Sequence, residues 1–264
     1  MLKTRILSSV VLIPVVLGLA YLGGPYFAVL VAVVGLLAAW EFYGIVRQAG
    51  YRPFPLVGLA LVAALFLDAY APELKIWRWA LAVAVIVPMV WQILQANPEG
   101  FLAGWALTLA GAMYIGGLFG HLISVRNLPQ GLEWVLLMFA GTWACDSAAY
   151  MVGVNLGKHG FFTRISPHKT WEGAIGGFGG GIAATIVAAH LLRLPLSLWR
   201  GLALGVVLVL GVTFGDLAES LLKRQVGVKD SGAVIPGHGG MLDRIDSMIF
   251  ASVIVYYFAT WVVH

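Results

Sequence analysis

The chain has 264 residues, of which 61% are hydrophobic and only 11% are charged, and its mean hydropathy is +0.92. Soluble domains carry about 25% charged residues, so this composition excludes an ordinary soluble domain, which would expose too much apolar surface to water. The formal net charge of +4 needs no nucleic acid to explain it, because lysines and arginines beside anionic lipid account for it.

Nine apolar runs follow one another along the chain, and runs of about 20 residues are typical of bilayer-spanning helices. They cover residues 6–23, 26–46, 55–71, 78–96, 101–124, 132–152, 173–192, 198–222 and 244–262. We therefore predict an all-α fold, a polytopic integral membrane helical bundle with about nine transmembrane helices. The first run is long and no clear small-residue cleavage site follows it, so we interpret it as a retained helix. Glu41 and Asp68, which lie within the second and third runs, are interpreted as side chains that reach an interface.

Basic residues predict the orientation of the chain. If the N-terminus is cytoplasmic, the inside segments hold eleven lysines and arginines and the outside loops hold five. This bias has the direction that the positive-inside rule expects. We predict a protein of a bacterial-type inner (plasma) membrane whose active site faces the cytoplasm.

Polar residues are distributed unevenly. Residues 1–130 form apolar helices without a motif, whereas three polar clusters lie between residue 142 and the last run. We predict one integral membrane domain, residues 1–264, in which residues 140–264 are the catalytic half. The only cysteine, Cys145, excludes an internal disulfide and is interpreted as a small packing residue.

The first polar cluster is "TWACDSAAY", residues 142–150. Thr142, Asp146 and Tyr150 are spaced four residues apart and share one helix face. An aspartate in a spanning helix is costly and marks a functional site by default. The alternative is that Asp146 pairs with a lysine of the following loop at the helix end.

The second cluster is the loop "GKHGFFTRISPHKTWEG", residues 157–173. It mixes five basic or histidine side chains with Glu172, and it is long for a helix connection. Long structured loops are usually functional, although an ordinary positive-inside loop is the alternative. Lys169 is our candidate substrate ligand here.

The third cluster joins the end of the eighth run, "FGDLAESLLKR", to the segment "KDSGAVIPGHGGMLDRID", residues 229–246, called the glycine-rich segment below. Asp216, Glu219 and Lys223 fall on one helical stripe. Successive N–H groups of the GHGG turn can bind an anion. Asp243 and Asp246, one helical turn apart, start the last run and can meet Asp216.

Oxygen ligands of this kind suit Mg²⁺, which binds through one or two carboxylates plus substrate phosphates. The metal ligands that we predict are Asp216, Asp243 and Asp246. Nearby cations supply countercharge for several phosphates, and they are Lys223, Arg224, Lys229 and Arg244. This pattern predicts nucleotidyl transfer to a lipid at the membrane surface. A phosphate nucleophile is already ionised and needs no general base, so we assign His238 to phosphate binding or loop ordering.

Residues 220–246 resemble the full signature of the phosphatidate cytidylyltransferase family, also called CDP-diacylglycerol synthases. The matching residues are Ser220, Leu222, Lys223, Arg224, Lys229, Asp230, Gly232, Ile235, Pro236, His238, Gly239, Gly240, Met241, Asp243, Arg244, Ile245 and Asp246. The segment "SPHKTWEG" is similar to a second element of the family, with His168 where lysine is usual.

The resemblance implies formation of CDP-diacylglycerol and pyrophosphate from CTP and phosphatidate, with Mg²⁺, in phospholipid biosynthesis. It implies that Asp216 and Asp243 hold the metal centre, with room for a second cation such as K⁺, and that the chain forms homodimers. The candidate catalytic residues are Asp216, Asp243, Lys223, Arg224 and Asp246. The candidate substrate-binding residues are Ser220, Lys229, Asp230, His238, Gly239, Gly240, Arg244, Lys169 and Asp146.

Two other functions compete with this interpretation. A secondary transporter would also carry charges in its helices, but it should have interrupted helices in two similar halves, and the charge here is lopsided. A CDP-alcohol phosphotransferase would also use Mg²⁺ and aspartates, but its paired-aspartate element is absent from the sequence.

Overall fold

The computed structural model describes residues 2–96, 99–232 and 239–263, with side chains from residue 10 onward. Within those ranges the chain is helical and has no strand, apart from one isolated antiparallel bridge between Gly160 and Thr170. The predicted all-α class is confirmed.

Ten α-helices follow one another in the described part of the chain. They are α1 Leu2–Leu22, α2 Gly24–Gln48, α3 Pro55–Tyr70, α4 Ile76–Gln95, α5 Phe101–Ala112, α6 His121–Arg126, α7 Gly131–Leu156, α8 Trp171–Leu191, α9 Leu198–Gln225 and α10 Leu242–Phe258. A π-helical turn, Met113–Phe119, joins α5 to α6, and a second, Ala259–Val263, extends α10. A 3₁₀ turn, Pro72–Leu74, precedes α4.

Each of the nine apolar runs coincides with a helix or a continuous helical stretch. Seven of these, counted over the described residues, are long and apolar enough to cross a membrane. They are Gly24–Gln48, Ile76–Gln95, Phe101–Arg126, Gly131–Leu156, Trp171–Leu191, Leu198–Gln225 and Leu242–Val263. Helix α3, Pro55–Tyr70, is shorter, as is the part of α1 whose side chains are described, Val10–Leu22. The polytopic membrane class is therefore confirmed, while the number of nine spans and the orientation stay predictions.

The chain forms two compact units. Unit 1 contains Met1–Ser124 and Gln225–Ile245, and unit 2 contains Val125–Arg224 and Asp246–His264. Most of the glycine-rich segment therefore belongs to unit 1, with the N-terminal helices. The predicted single domain is not decided by this grouping and stays a prediction.

The core of unit 1 is held by a tyrosine on α2. The Tyr43 hydroxyl donates to the Thr108 carbonyl at 2.7 Å, and the Thr108 hydroxyl accepts the Phe54 N–H at 2.8 Å. Gly58 on α3 leaves the space that the Tyr43 ring fills, since a Cβ there would overlap the ring. These contacts fix α2, α3 and α5 against one another.

Small residues build the core of unit 2. The buried glycines of α8 lie directly against α7: a Cβ on Gly177 would be 3.0 Å from the Ala149 Cβ, and one on Gly181 would be 3.0 Å from the Cys145 Cβ. Small residues at helix interfaces allow this close approach in membranes. Cys145 is buried, as a packing residue should be.

Helix α9 approaches α10 closely at one point. A Cβ on Gly215 would lie 2.8 Å from the backbone oxygen of Asp246 and 3.2 Å from the Cα of Ser247. Since Asp216 follows Gly215 directly, this contact determines where Asp216 and Asp246 stand on their two helices.

Candidate active site

The candidate site residues lie in two polar clusters, and each unit contains one of them. In unit 2 they are Asp146, Lys169, Asp216, Ser220, Lys223, Arg224 and Asp246, which we call the carboxylate–lysine cluster together with Glu219. In unit 1 they are Lys229, Asp230, Gly239, Gly240, Asp243 and Arg244 of the glycine-rich segment.

Asp216 is oriented through both of its carboxylate oxygens. Its Oδ2 lies 2.8 Å from the Lys169 Nζ, and its Oδ1 accepts a hydrogen bond from the Ser220 hydroxyl at 3.3 Å. The Asp216 side chain is 37% exposed and that of Lys169 24%, so water or a ligand can reach the ion pair.

The loop between α7 and α8 is folded in a way that presents Lys169. The Glu172 carboxylate accepts the N–H groups of Lys158 and His159 at 3.1 and 3.2 Å, and it lies 2.6 Å from the His159 Nδ1. The Thr170 hydroxyl caps α8 by accepting the Gly173 N–H at 3.1 Å. These bonds fix the residues on both sides of Lys169 and hence its approach to α9.

Arg224 ties the far side of the same loop to α9, since its Nε donates to the Ile165 carbonyl at 3.2 Å. His168, which stands where the family usually has lysine, is exposed. The loop is therefore bound to α9 at two points, Lys169 and Arg224, as a structured functional loop should be.

The helical stripe predicted from Asp216, Glu219 and Lys223 is divided between two ion pairs. Asp216 pairs with Lys169, whereas the Glu219 carboxylate lies 2.5 Å from the Lys223 Nζ. Both side chains of the second pair are buried, at 1% and 12% exposure. Lys223 therefore carries its charge close to the site while Glu219 neutralises much of it.

Asp246 is half-buried near the start of α10. Its Oδ1 accepts the N–H of Ser247 at 2.6 Å, and the charges that act on its carboxyl include those of Asp216, Asp146 and Lys223. The cluster holds four carboxylates (Asp146, Asp216, Glu219, Asp246) and three cations (Lys169, Lys223, Arg224), so 4 − 3 leaves one net negative charge.

Asp243 orders the glycine-rich segment. Its Oδ2 accepts the N–H of Ser231 at 3.1 Å and that of Gly240 at 2.8 Å. Gly239 has φ +82°, in the left-handed region that favours glycine. One carboxylate oxygen therefore binds the backbone at both Ser231 and Gly240.

The remaining predicted residues of the segment are open to ligands. Lys229, Asp230 and Arg244 are exposed. Asp146, on α7 of unit 2, is exposed as well. His238 lies outside the described residues, so its assignment stays a prediction.

The sequence interpretation of Glu41 is wrong. This residue does not reach an interface, since it is only 6% exposed, and its Oε2 accepts the Leu242 N–H at 2.9 Å and the Ser231 hydroxyl at 3.1 Å. The signal was present in the sequence, because a carboxylate inside an apolar run is a functional candidate by default. The argument that marks Asp146 as a functional candidate therefore holds for Glu41 as well. Asp68, by contrast, binds the Trp77 N–H at 3.1 Å near the start of α4.

Mg²⁺ fits the donor set of the carboxylate–lysine cluster. Among the described residues, no group of three or more histidine, cysteine, aspartate or glutamate side chains is arranged as a ready metal site. Mg²⁺ nevertheless needs only one or two carboxylates when substrate phosphates and water complete its shell. The carboxylates of the cluster can supply the one or two ligands that Mg²⁺ needs. The full set of three predicted ligands, Asp216, Asp243 and Asp246, stays a prediction.

Apolar helices that carry a carboxylate–lysine cluster define a polytopic membrane protein with a charged candidate site. Comparison with known proteins narrows this class. The family described as "Cytidylyltransferase family" matches residues 3–262, and the chain belongs to this family.

Individual relatives cover nearly the whole chain. A protein of Synechocystis sp. named phosphatidate cytidylyltransferase is 34% identical over 96% of this chain and 95% of its own length. One of the same name from Bacillus subtilis is 35% identical over 97% and 96%. Phosphatidate cytidylyltransferase 5, chloroplastic, of Arabidopsis thaliana is 34% identical over 91% of this chain and 67% of its own length.

Proposed function

We propose that the chain transfers the cytidylyl group of CTP to phosphatidate, which yields CDP-diacylglycerol and pyrophosphate for phospholipid biosynthesis. The observation that carries this proposal is the similarity, over almost the full length of both chains, to proteins named phosphatidate cytidylyltransferase. The carboxylates of the carboxylate–lysine cluster, which are oxygen ligands of the kind that Mg²⁺ prefers, support it.

The reaction exchanges one phosphorus–oxygen bond for another. A phosphate oxygen of phosphatidate attacks the α-phosphorus of CTP, and the bond from that phosphorus to the pyrophosphate oxygen breaks. The attacking phosphate is ionised at neutral pH, so no side chain has to remove a proton. Catalysis then depends on placing the two phosphates in line and on neutralising their charge.

The side chains of the carboxylate–lysine cluster supply these two effects. Lys169 and Arg224 neutralise phosphate charge, and Arg224 can do so with two parallel N–H groups. Asp216 holds Lys169 in place when no substrate is bound, and Ser220 fixes the Asp216 carboxylate. In this proposal Lys229, Asp230 and Arg244 of the glycine-rich segment bind the nucleotide.

Asp216 and Asp246 are the residues of unit 2 that would hold Mg²⁺, with Asp243 as the further predicted ligand. When bound, Mg²⁺ neutralises the negative charge of the phosphates. A second cation such as K⁺ and a homodimeric assembly belong to the same proposal, and the family resemblance supports both. The excess of basic residues in the predicted inside segments supports an active site on the cytoplasmic face of the inner membrane.

The direct experiment uses the full chain purified in detergent. CTP labelled at the α-phosphorus is incubated with phosphatidate and Mg²⁺, and label in the lipid phase is counted. We expect lipid-soluble label that requires phosphatidate and disappears with EDTA. Label transfer that is unchanged in EDTA would contradict the Mg²⁺ requirement, and no transfer under any condition would contradict the proposed reaction.

A further inference from the structure

A buried carboxylate on α2 binds the glycine-rich segment at two separate positions. Glu41 is only 6% exposed, and burying a charged group is costly unless it is hydrogen-bonded. Its Oε2 accepts the N–H of Leu242, the first residue of α10, at 2.9 Å. The same oxygen accepts the Ser231 hydroxyl at 3.1 Å. One oxygen therefore binds residues eleven positions apart in the chain.

Two glycines of the segment lie directly against this carboxylate. A Cβ on Gly232 would lie 2.5 Å from the Glu41 Oε1, and one on Gly240 would lie 2.5 Å from the Glu41 Oε2 and overlap the Ser231 hydroxyl. Only glycine fits at these two positions. Glycine is therefore required at both positions because Glu41 occupies the space, and not because of a special backbone angle.

Ser231 is bound by two carboxylates at once. Glu41 accepts its hydroxyl, and Asp243 accepts its N–H at 3.1 Å. Asp243 also accepts the N–H of Gly240. Asp243 therefore binds both Ser231 and Gly240, while Glu41 binds Ser231 as well. Asp243 lies on the segment itself, whereas Glu41 lies about 190 residues away in sequence and fixes the segment to α2.

We propose that Glu41 is a positioning residue for cytidylyl transfer, which sets the conformation of the glycine-rich segment through Ser231 and Leu242. It acts through the segment and does not touch the substrate. This proposal rests on the proposed function, because the segment carries the residues assigned to CTP.

Two substitutions of Glu41 separate its hydrogen bonds from its charge. Glu41→Gln keeps one oxygen that can accept both bonds, whereas Glu41→Ala removes the acceptor. A buried N–H that loses its charged acceptor is left without a hydrogen bond, and a tenfold effect corresponds to about 1.4 kcal/mol. We expect Glu41→Ala to lower kcat/KM for CTP at least tenfold, with the KM for phosphatidate near the parent value, and Glu41→Gln to restore most of the loss.

A readout independent of activity is limited proteolysis of the full chain in detergent, with proteinase K and cuts mapped by mass spectrometry. In Glu41→Ala, cuts within residues 226–241 should become faster, while cuts in the loop 157–170 should keep the parent rate. Asp68→Ala is the matched control, since it also removes a carboxylate that binds a backbone N–H and should change neither measurement.

Ser231→Ala keeps the test valid if Glu41→Ala does not fold. It removes one of the two bonds, and it should produce a smaller loss and faster cuts in the segment alone. Added to Glu41→Ala it should cost little more, because the partner is already gone.

The following results would overturn the proposal. Parent-like kcat/KM and parent-like cuts in Glu41→Ala and Ser231→Ala would do so, as would full additivity of the two substitutions. Equal acceleration of cuts in both loops would assign Glu41 a general structural role. If the parent protein makes no CDP-diacylglycerol, the proposed reaction fails, while the proteolysis comparison still decides whether Glu41 holds the segment.

Discussion

Asp216 and Asp243 use their carboxylates in different ways. Asp216 pairs with a lysine from another loop, whereas Asp243 binds two backbone N–H groups of its own segment. Both are predicted metal ligands, although only Asp243 lies within the signature of residues 220–246. Their different partners make the metal role of Asp243 separable from its structural role by substitution.

For Asp243, two substitutions give different results if it binds a metal. Asp243→Asn keeps an oxygen that accepts the Ser231 and Gly240 N–H groups but loses the charge, so activity should fall about a hundredfold or more while proteolysis of the segment stays at the parent rate. Asp243→Ala should lose activity and also accelerate the cuts. Steady-state assays at saturating Mg²⁺ measure the loss of activity in both variants. Near-normal turnover of Asp243→Asn would remove Asp243 from the metal ligands.

Residue-scale prediction from the sequence succeeded where a side chain's neighbours are local and failed where they are distant. Helical spacing places Asp216 within reach of Ser220, and the structure has that bond. Spacing also allows the pair of Glu219 with Lys223, four residues on, but it could not indicate that Asp216 pairs with Lys169 of another loop. The partner of Glu41 lies about 190 residues away, and no local periodicity contains that information.

At the scale of elements, the approach of α9 to α10 positions the carboxylates. Gly215 has no room for a side chain beside the Asp246 backbone, and the next residue is Asp216. The apolar runs predicted both helices, because hydrophobic length is visible in sequence. Which faces of the helices touch could not be predicted, because α9 carries four glycines, at positions 201, 205, 211 and 215, and spacing alone does not select one of them.

Two glycine substitutions on α9 test this contact. Gly215→Ala must separate α9 from α10, and overpacking of this kind costs about 1–3 kcal/mol, so we expect an activity loss of about tenfold or more. The matched control is Gly201→Ala on the same helix, where a Cβ would find its nearest neighbour, the Ile186 Cγ1, at 3.9 Å. Its activity should equal that of the parent in the same detergent assay. Equal activities of the two variants would show that the close contact does not position the site.

At the scale of the whole molecule, composition determined the class more firmly than any motif. A chain with 11% charged residues has to place its helices in lipid, and the described helices agree in number and length with a polytopic protein. The grouping of the glycine-rich segment with the N-terminal helices was not predictable, because the sequence distributes charge to the C-terminal half and contains no signal for which helices receive the segment.

The predicted orientation is tested with single cysteines. In a Cys145→Ala background, a cysteine at the exposed Thr163 should react with an impermeant maleimide in inverted membrane vesicles but not in intact cells. Cys145 is buried, so its replacement removes background without opening the surface. Labelling from outside intact cells would reverse the topology and separate the loop that carries Lys169 from cytoplasmic CTP.

The central claim is that the chain transfers a cytidylyl group to the phosphate of phosphatidate. The most direct measurement compares CTP labelled at the α-phosphorus with CTP labelled at the γ-phosphorus, each with phosphatidate or with diacylglycerol as acceptor. We predict that only the α-label enters the lipid phase, that only phosphatidate accepts it, and that the γ-label appears in aqueous pyrophosphate. Transfer of the γ-label to lipid, or α-label transfer to diacylglycerol, would contradict the account.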